Sequence, residues 1–279
     1  DDSMRATLNM QGNTLAKSAD DLFEDPEMQK ISYDQAEAGL VSQAQQLMIT
    51  YQQSGYTMEN LQNTRSLLQA QYEAAVALMG TGSSTQVQVL NAQKSVQDQD
   101  AAILSTQKSI DSVHRTLCLM TGWSADAQPE IRAVPEPDLG RIDSINLEAD
   151  QETALKNNYT IRYNEKKLGN LSASTQIEAT KATIEDARNN VINGLKTQYN
   201  TILTTRDSLT TAQLQLQLAQ VVLEKAAASL AVGSSTQLQY QSAENAFITA
   251  KNTVETTKLQ LLLAMENYDW IVKGLVASK

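Results

Sequence analysis

The pentapeptide Gly82-Ser83-Ser84-Thr85-Gln86 returns letter for letter as Gly233-Ser234-Ser235-Thr236-Gln237, an offset of 233 − 82 = 151 in a chain of 279 residues. A repeat of that period requires a fold built from two like halves. Locally the pentapeptide is a helix-to-helix turn. Glycine ends an incoming helix by taking positive φ at little cost. Thr85 with Gln88, and Thr236 with Gln239, match the S/T-x-x-E/Q capping box that opens the next helix.

The flanks carry a heptad. Positions 40, 44, 47, 51, 54, 58, 61, 65, 68, 72, 75 and 79 alternate steps of four and three and are mostly apolar, with polar interruptions at Ser54 and Arg65. After the turn the seam resumes from Val89 through Val96, Ile103 and Ile110 to Met120. Shifting every position by 151 gives Val191 to Leu230 and Tyr240 to Ile271, with no insertion or deletion. Each half is therefore predicted to be a long antiparallel coiled-coil hairpin with a left-handed supercoil. A second seam, Leu214, Leu218, Val221 and Ala228, with Leu67, Ala70, Ala74 and Ala77 in the first half, asks for a second neighbour. Other subunits supply it, or a four-helix arrangement within one chain does.

The fold expected is all-α. Residues 1–123 form the first repeat, with an N-terminal helix and an acidic segment in 1–30, and residues 145–279 form the second. Between them, 124–144 holds Pro129, Pro135 and Pro137 and no period, and is expected to be a linker. The second repeat opens with a helical segment from Ile145, broken around Gly169 and Ser172–Thr175.

Composition and missing motifs exclude most function classes. Net charge is −10, with no basic stripe, which argues against nucleic acid and anionic membrane surfaces. One cysteine, Cys118, rules out an intramolecular disulfide. No apolar run reaches the roughly 20 residues of a membrane-spanning helix. Asp20, Asp21, Glu24 and Asp25 lack the spacing and glycine of a calcium loop and are expected to be solvated. His114, the single histidine, flanks the Val113/Leu117 seam as a helix-surface residue. With no Cys/His cluster, phosphate loop or nucleophile elbow, no catalytic residue, cofactor or metal is predicted.

The segment Gly82-x-x-Thr85-x-x-Gln88-Val89-Leu90-x-Ala92 resembles the G-x-x-S/T-x-x-D-V-L-x-A stretch of the TolC-type outer-membrane efflux proteins. Gly233-x-x-Thr236-x-x-Gln239-Tyr240-x-x-Ala243 is a looser second copy, and Leu117-x-x-Met120-Thr121-Gly122-Trp123 is similar to that family's hairpin ending. The resemblance covers 36–123 and 150–275. It implies a homotrimer in which twelve helices enclose a hollow α-barrel, with hairpin tips that form an iris and dock on the helical hairpins of a membrane-fusion adaptor serving a transporter. Gly82, Ser84, Thr85, Gln88, Gly233, Ser235, Thr236 and Gln239 would then be the tip and adaptor-contact residues. It further implies an exported protein of the cell envelope whose signal peptide has been removed.

Two departures stand out. Gln88 and Gln239 occupy a position where the family has an acid. The stretches Leu22–Ile31 and Gly169–Thr175, where the family has β-hairpins, are too short for two strands of about 9–11 residues each. The expectation is thus a TolC-like α-barrel protomer without the membrane β-barrel. The alternative of another class is an extracellular coiled-coil spacer or adhesion-type protein with no lumen.

Overall fold

The computed structural model describes Met10 and residues 25–275. The proposed N-terminal helix and the acidic run up to Glu24 lie outside the described residues, Met10 apart. Seven helices are present among the described residues: α1 Pro26–Gly80, α2 Gln86–Met120, α3 Leu139–Ile142, α4 Leu147–Asn157, α5 Tyr159–Asn170, α6 Ser174–Ala231 and α7 Gln237–Val272. Every one of these residues outside the helices is in a turn, a bend or irregular backbone.

The long helices follow the repeat. Ends at Gly80 and Ala231 and starts at Gln86 and Gln237 are each 151 residues apart. The heptad positions are buried or half-buried throughout the second half, and in the first half only the terminal Leu40 and Met79 are exposed. Apolar side chains spaced 3.5 residues apart stay on one face of a supercoiled helix, so the seam is the face each pair of helices shares.

The chain divides into two compact units. One comprises Gln43–Leu139 and Thr201–Ala264. Here Gln99 Nε2 donates to the Leu61 carbonyl at 2.9 Å and Arg65 pairs with Asp100 at 3.0 Å, joining α1 to α2. On its other side α1 meets α7: Asn252 Nδ2 donates to Asn60 Oδ1 at 2.9 Å, and Asn245 Nδ2 to Thr64 Oγ1 at 3.4 Å. Helices α6 and α7 wall a shared groove lined by Asp207, Thr211, Thr253 and Thr257. The helix order across the unit is therefore α2, α1, α7, α6. The proline-containing segment after α2 is a strap over this layer. Val134 packs against a cluster of Ile49, Leu259 and Leu262, the Arg132 carbonyl accepts from Gln52 Nε2 at 3.2 Å, and Glu136 pairs with Lys258 at 3.3 Å.

The other unit contains 25–42, 140–200 and 265–275. Its centre is Asn158, 1% exposed, where the sequence predicts uninterrupted helix. Asn158 Oδ1 accepts from the Ile161 amide at 3.0 Å, capping α5, while Nδ2 donates to the Gly274 carbonyl at 3.1 Å. Asn157 Nδ2 reaches the Val272 carbonyl at 3.0 Å. One asparagine pair thus ends α4, starts α5 and satisfies the Val272 and Gly274 carbonyls at and just beyond the end of α7, where helix carbonyls lack partners of their own. The second break, predicted around Gly169–Thr175, is present as Leu171–Ala173. Tyr268, 2% exposed, donates to Asp150 Oδ2 at 2.7 Å, and Arg141 pairs with Asp269.

Candidate functional site at the hairpin tips

Both tips are assembled by the same hydrogen bonds. Gly82 and Gly233 take φ of 75° and 72°. The Gly82 amide donates to the Met79 carbonyl at 3.0 Å and that of Ser83 to Leu78 at 2.8 Å; Gly233 to Leu230 at 3.0 Å and Ser234 to Ser229 at 2.9 Å repeat the pattern. This is the Schellman ending, in which glycine supplies the left-handed residue after the helix.

The capping boxes close the turns. The Gln88 amide donates to Thr85 Oγ1 at 3.3 Å and the Thr85 amide to Gln88 Oε1 at 2.7 Å. The second copy has 3.2 Å from the Gln239 amide to Thr236 Oγ1 and 2.9 Å from the Thr236 amide to Gln239 Oε1. Ser84 and Ser235 hydroxyls add bonds of 3.2 and 3.0 Å to the same glutamine oxygens. All eight tip residues are thereby brought into two equivalent turns, and each glutamine carboxamide oxygen is engaged in its cap. A glutamate here would accept the same bonds, so glutamine keeps the turn without adding a charge.

The tips carry no charge. Between Glu73 and Lys94, and again between Lys225 and Glu244, every residue is neutral, in a chain that is 19% charged. The two apices nevertheless differ. The first exposes Val76, Leu78, Met79, Val87 and Leu90. The corresponding second-half positions hold Ala227, Ser229, Leu230, Leu238 and Gln241. Composition within the charge-free windows, rather than the shared pentapeptide, was the signal for this asymmetry.

The outer faces of the layer are also apolar near the tips. On α6, Leu214, Leu218, Val221, Lys225 and Ala228, continued by Val232 in the turn, form an exposed heptad. It extends the second seam read in the sequence. On α2, Val87, Leu90, Lys94, Gln97, Ala101 and Leu104 form another, which the sequence reading missed and which lies two positions out of phase with the buried seam. The first-half counterparts Leu67, Ala70 and Ala74 are half-buried, since α1 has a helix on each side.

His114 is half-buried rather than a free surface residue. Its ring lies 6.1 Å from that of Tyr51, and its Nδ1 is 3.8 Å from the buried Cys118 Sγ. Among the described residues no group of three metal-ligating side chains occurs. No helix there is long and apolar enough to cross a membrane.

No family model matches the sequence, and no curated protein does. Solved structures do match. CusC aligns with a TM-score of 0.67 at 14% identity, over 98% of this chain and 90% of that one. The outer-membrane channel OprN gives 0.64 at 11%, over 89% and 69%, and the outer membrane protein VceC of Vibrio cholerae 0.54 at 12%, over 89% and 72%. At such identities the likeness is one of fold: the chain has the helical architecture of the TolC-type outer-membrane channels.

Proposed function

We propose that this chain is one protomer of an efflux or secretion conduit in the cell envelope, closed into a tube by copies of itself. The observation that carries the reading is the pair of uncovered heptads at the two edges of the four-helix layer. The edges are unlike, one on α2 and one on α6, so their mutual contact is heterologous and propagates around a ring until it closes. Covering each large apolar side chain in such a seam contributes about 1.5–3 kcal/mol. Three copies of four helices match the twelve-helix barrel that the resemblance implies.

The neutral tips support docking on the helical hairpins of an adaptor protein that serves a transporter. Gly82, Ser84, Thr85 and Gln88, with Gly233, Ser235, Thr236 and Gln239, hold the turns that would meet it. An uncharged apex with small residues favours close packing that salt does not screen. In this reading the protein is a passive conduit, with energy supplied by the transporter.

Oligomeric state tests the reading. Native mass spectrometry at micromolar concentration is expected to show a closed oligomer, a trimer by the resemblance. Paired cysteines at Leu218→Cys and Gln97→Cys, which the tip register puts at one level, are expected to cross-link between copies. A monomer throughout the micromolar range, with no cross-link, would leave the spacer reading as the better one.

A further inference from the structure

Between the strap and helices α1 and α2 lies an open groove of about 830 Å³, most of whose lining is solvent-exposed, that the conduit reading does not use. Its size falls within the range of small-ligand sites, about 300–1,000 Å³. One wall is apolar and ring-bearing: Tyr51 and His114, whose rings are inclined at 45°, with Ile110 and Pro129. The rest is polar, from Asp111 and Arg115 on α2 and Asp126 and Gln128 on the strap.

Several of these polar groups have no protein partner. Among the described residues, none hydrogen-bonds or pairs with the Tyr51 hydroxyl, the Arg115 guanidinium or the Gln128 amide. Asp111 accepts one bond, from Gln107 Nε2 at 2.8 Å, through a single oxygen. Asp126 is held below the usual carboxylate range by the Ser124 hydroxyl and its own backbone amide, so it is an acceptor at neutral pH.

The mixture selects a ligand class. A simple anion would meet Asp111 and Asp126, and a simple cation would meet Arg115. A hydroxyl both donates and accepts, so a polyhydroxylated ligand uses the carboxylates, the guanidinium and the amide together. A pyranose also has a C–H face that lies flat on an aromatic ring. We infer that the groove between the strap and helices α1 and α2 binds a neutral glycan, one ring stacked on Tyr51 beside His114 and its hydroxyls bonded to Asp111, Arg115 and Gln128.

The inference stands apart from the tube, since one chain supplies every residue named. The test titrates a β-1,4-linked N-acetylglucosamine tetramer into the full chain, followed by calorimetry and saturation-transfer NMR. Saturable binding is expected, with Kd on the order of 10⁻⁴–10⁻³ M for so open a site. Tyr51→Ala is expected to weaken it about tenfold or more, and Arg115→Gln about threefold to tenfold, with the exposed Thr183→Ala unchanged. Because Tyr51 also packs in the coiled-coil seam, helical circular dichroism accompanies each variant, and the exposed Arg115→Gln decides the matter if Tyr51→Ala unfolds. Absence of saturation up to about 10 mM overturns the proposal. So does equal affinity in Arg115→Gln, or tighter binding of an Ala-Gln-Ala tripeptide.

Discussion

Two glycines with positive φ separate backbone conformation from space. At Gly82 a Cβ would meet nothing within 4 Å, so Gly82→Ala carries only the left-handed backbone penalty, about 1–2 kcal/mol. At Gly274, φ is 111° and a Cβ would stand 2.4 Å from the Asn157 carbonyl oxygen. Gly274→Ala therefore adds a backbone overlap to strain of about 1–3 kcal/mol and is expected to lower the thermal midpoint clearly more than Gly82→Ala. Tyr268 sets an alkaline limit. Burial, then its bond to the Asp150 carboxylate, raises the phenol above its ordinary value, because ionisation would put a second negative charge in an enclosed place. The folded state thus holds this proton more tightly than the unfolded chain, whose tyrosines titrate near pH 10. That stability is fully present below about pH 10 and is lost as pH rises above it. Tyr268→Phe is expected to flatten the loss between about pH 10 and 12 in denaturant midpoints, at the cost of some stability at neutral pH.

Among the elements, the contact of α1 with α7 differs from the seams inside each hairpin. Asn252 is fully buried, donates to Asn60, and has an Oδ1 with no hydrogen-bond partner in the structure. A polar pair with a buried member of this kind sets register more than it stabilises, since a slipped pairing would strand the Asn252 amide. Asn60→Leu alone is expected to cost about 1–3 kcal/mol by leaving the Asn252 amide unsatisfied. Asn60→Leu with Asn252→Leu is expected to recover the loss or exceed it. A double-mutant cycle in urea checks the coupling, and additive costs would remove the register role. Lys258 shows the same layer held from outside. Partial burial lowers its pKa, but bonds to Glu255 and Glu136 outweigh this and raise it, so the ammonium that ties the strap to α7 is charged through the neutral range.

For the whole molecule, the proposed tube places its weight on the outer stripes. Leu218→Asp, at 66% exposure in the single chain, leaves the described core untouched. It is expected to leave helicity and monomer stability within about 0.5 kcal/mol while abolishing the oligomer. Sedimentation velocity distinguishes this from simple unfolding. How much of this was legible beforehand follows from the range of the interactions. The GSSTQ turns, their capping boxes and the gapless heptads were written in the sequence because caps and seams depend on neighbours three, four and seven residues away. The break at Asn158 was not, because what interrupts the helix is the carbonyl of Gly274, more than a hundred residues on. The same holds for Val134 in the cluster with Ile49 and Leu259, for the polar groove beside the strap, and for the exposure of the α2 stripe. The sequence by itself determined that there are two hairpins and where each turns, since helix periodicity and capping are local. Only the tertiary structure decided which faces pair, which stay open near the tips and what the strap borders, since those depend on which distant helix arrives beside each face.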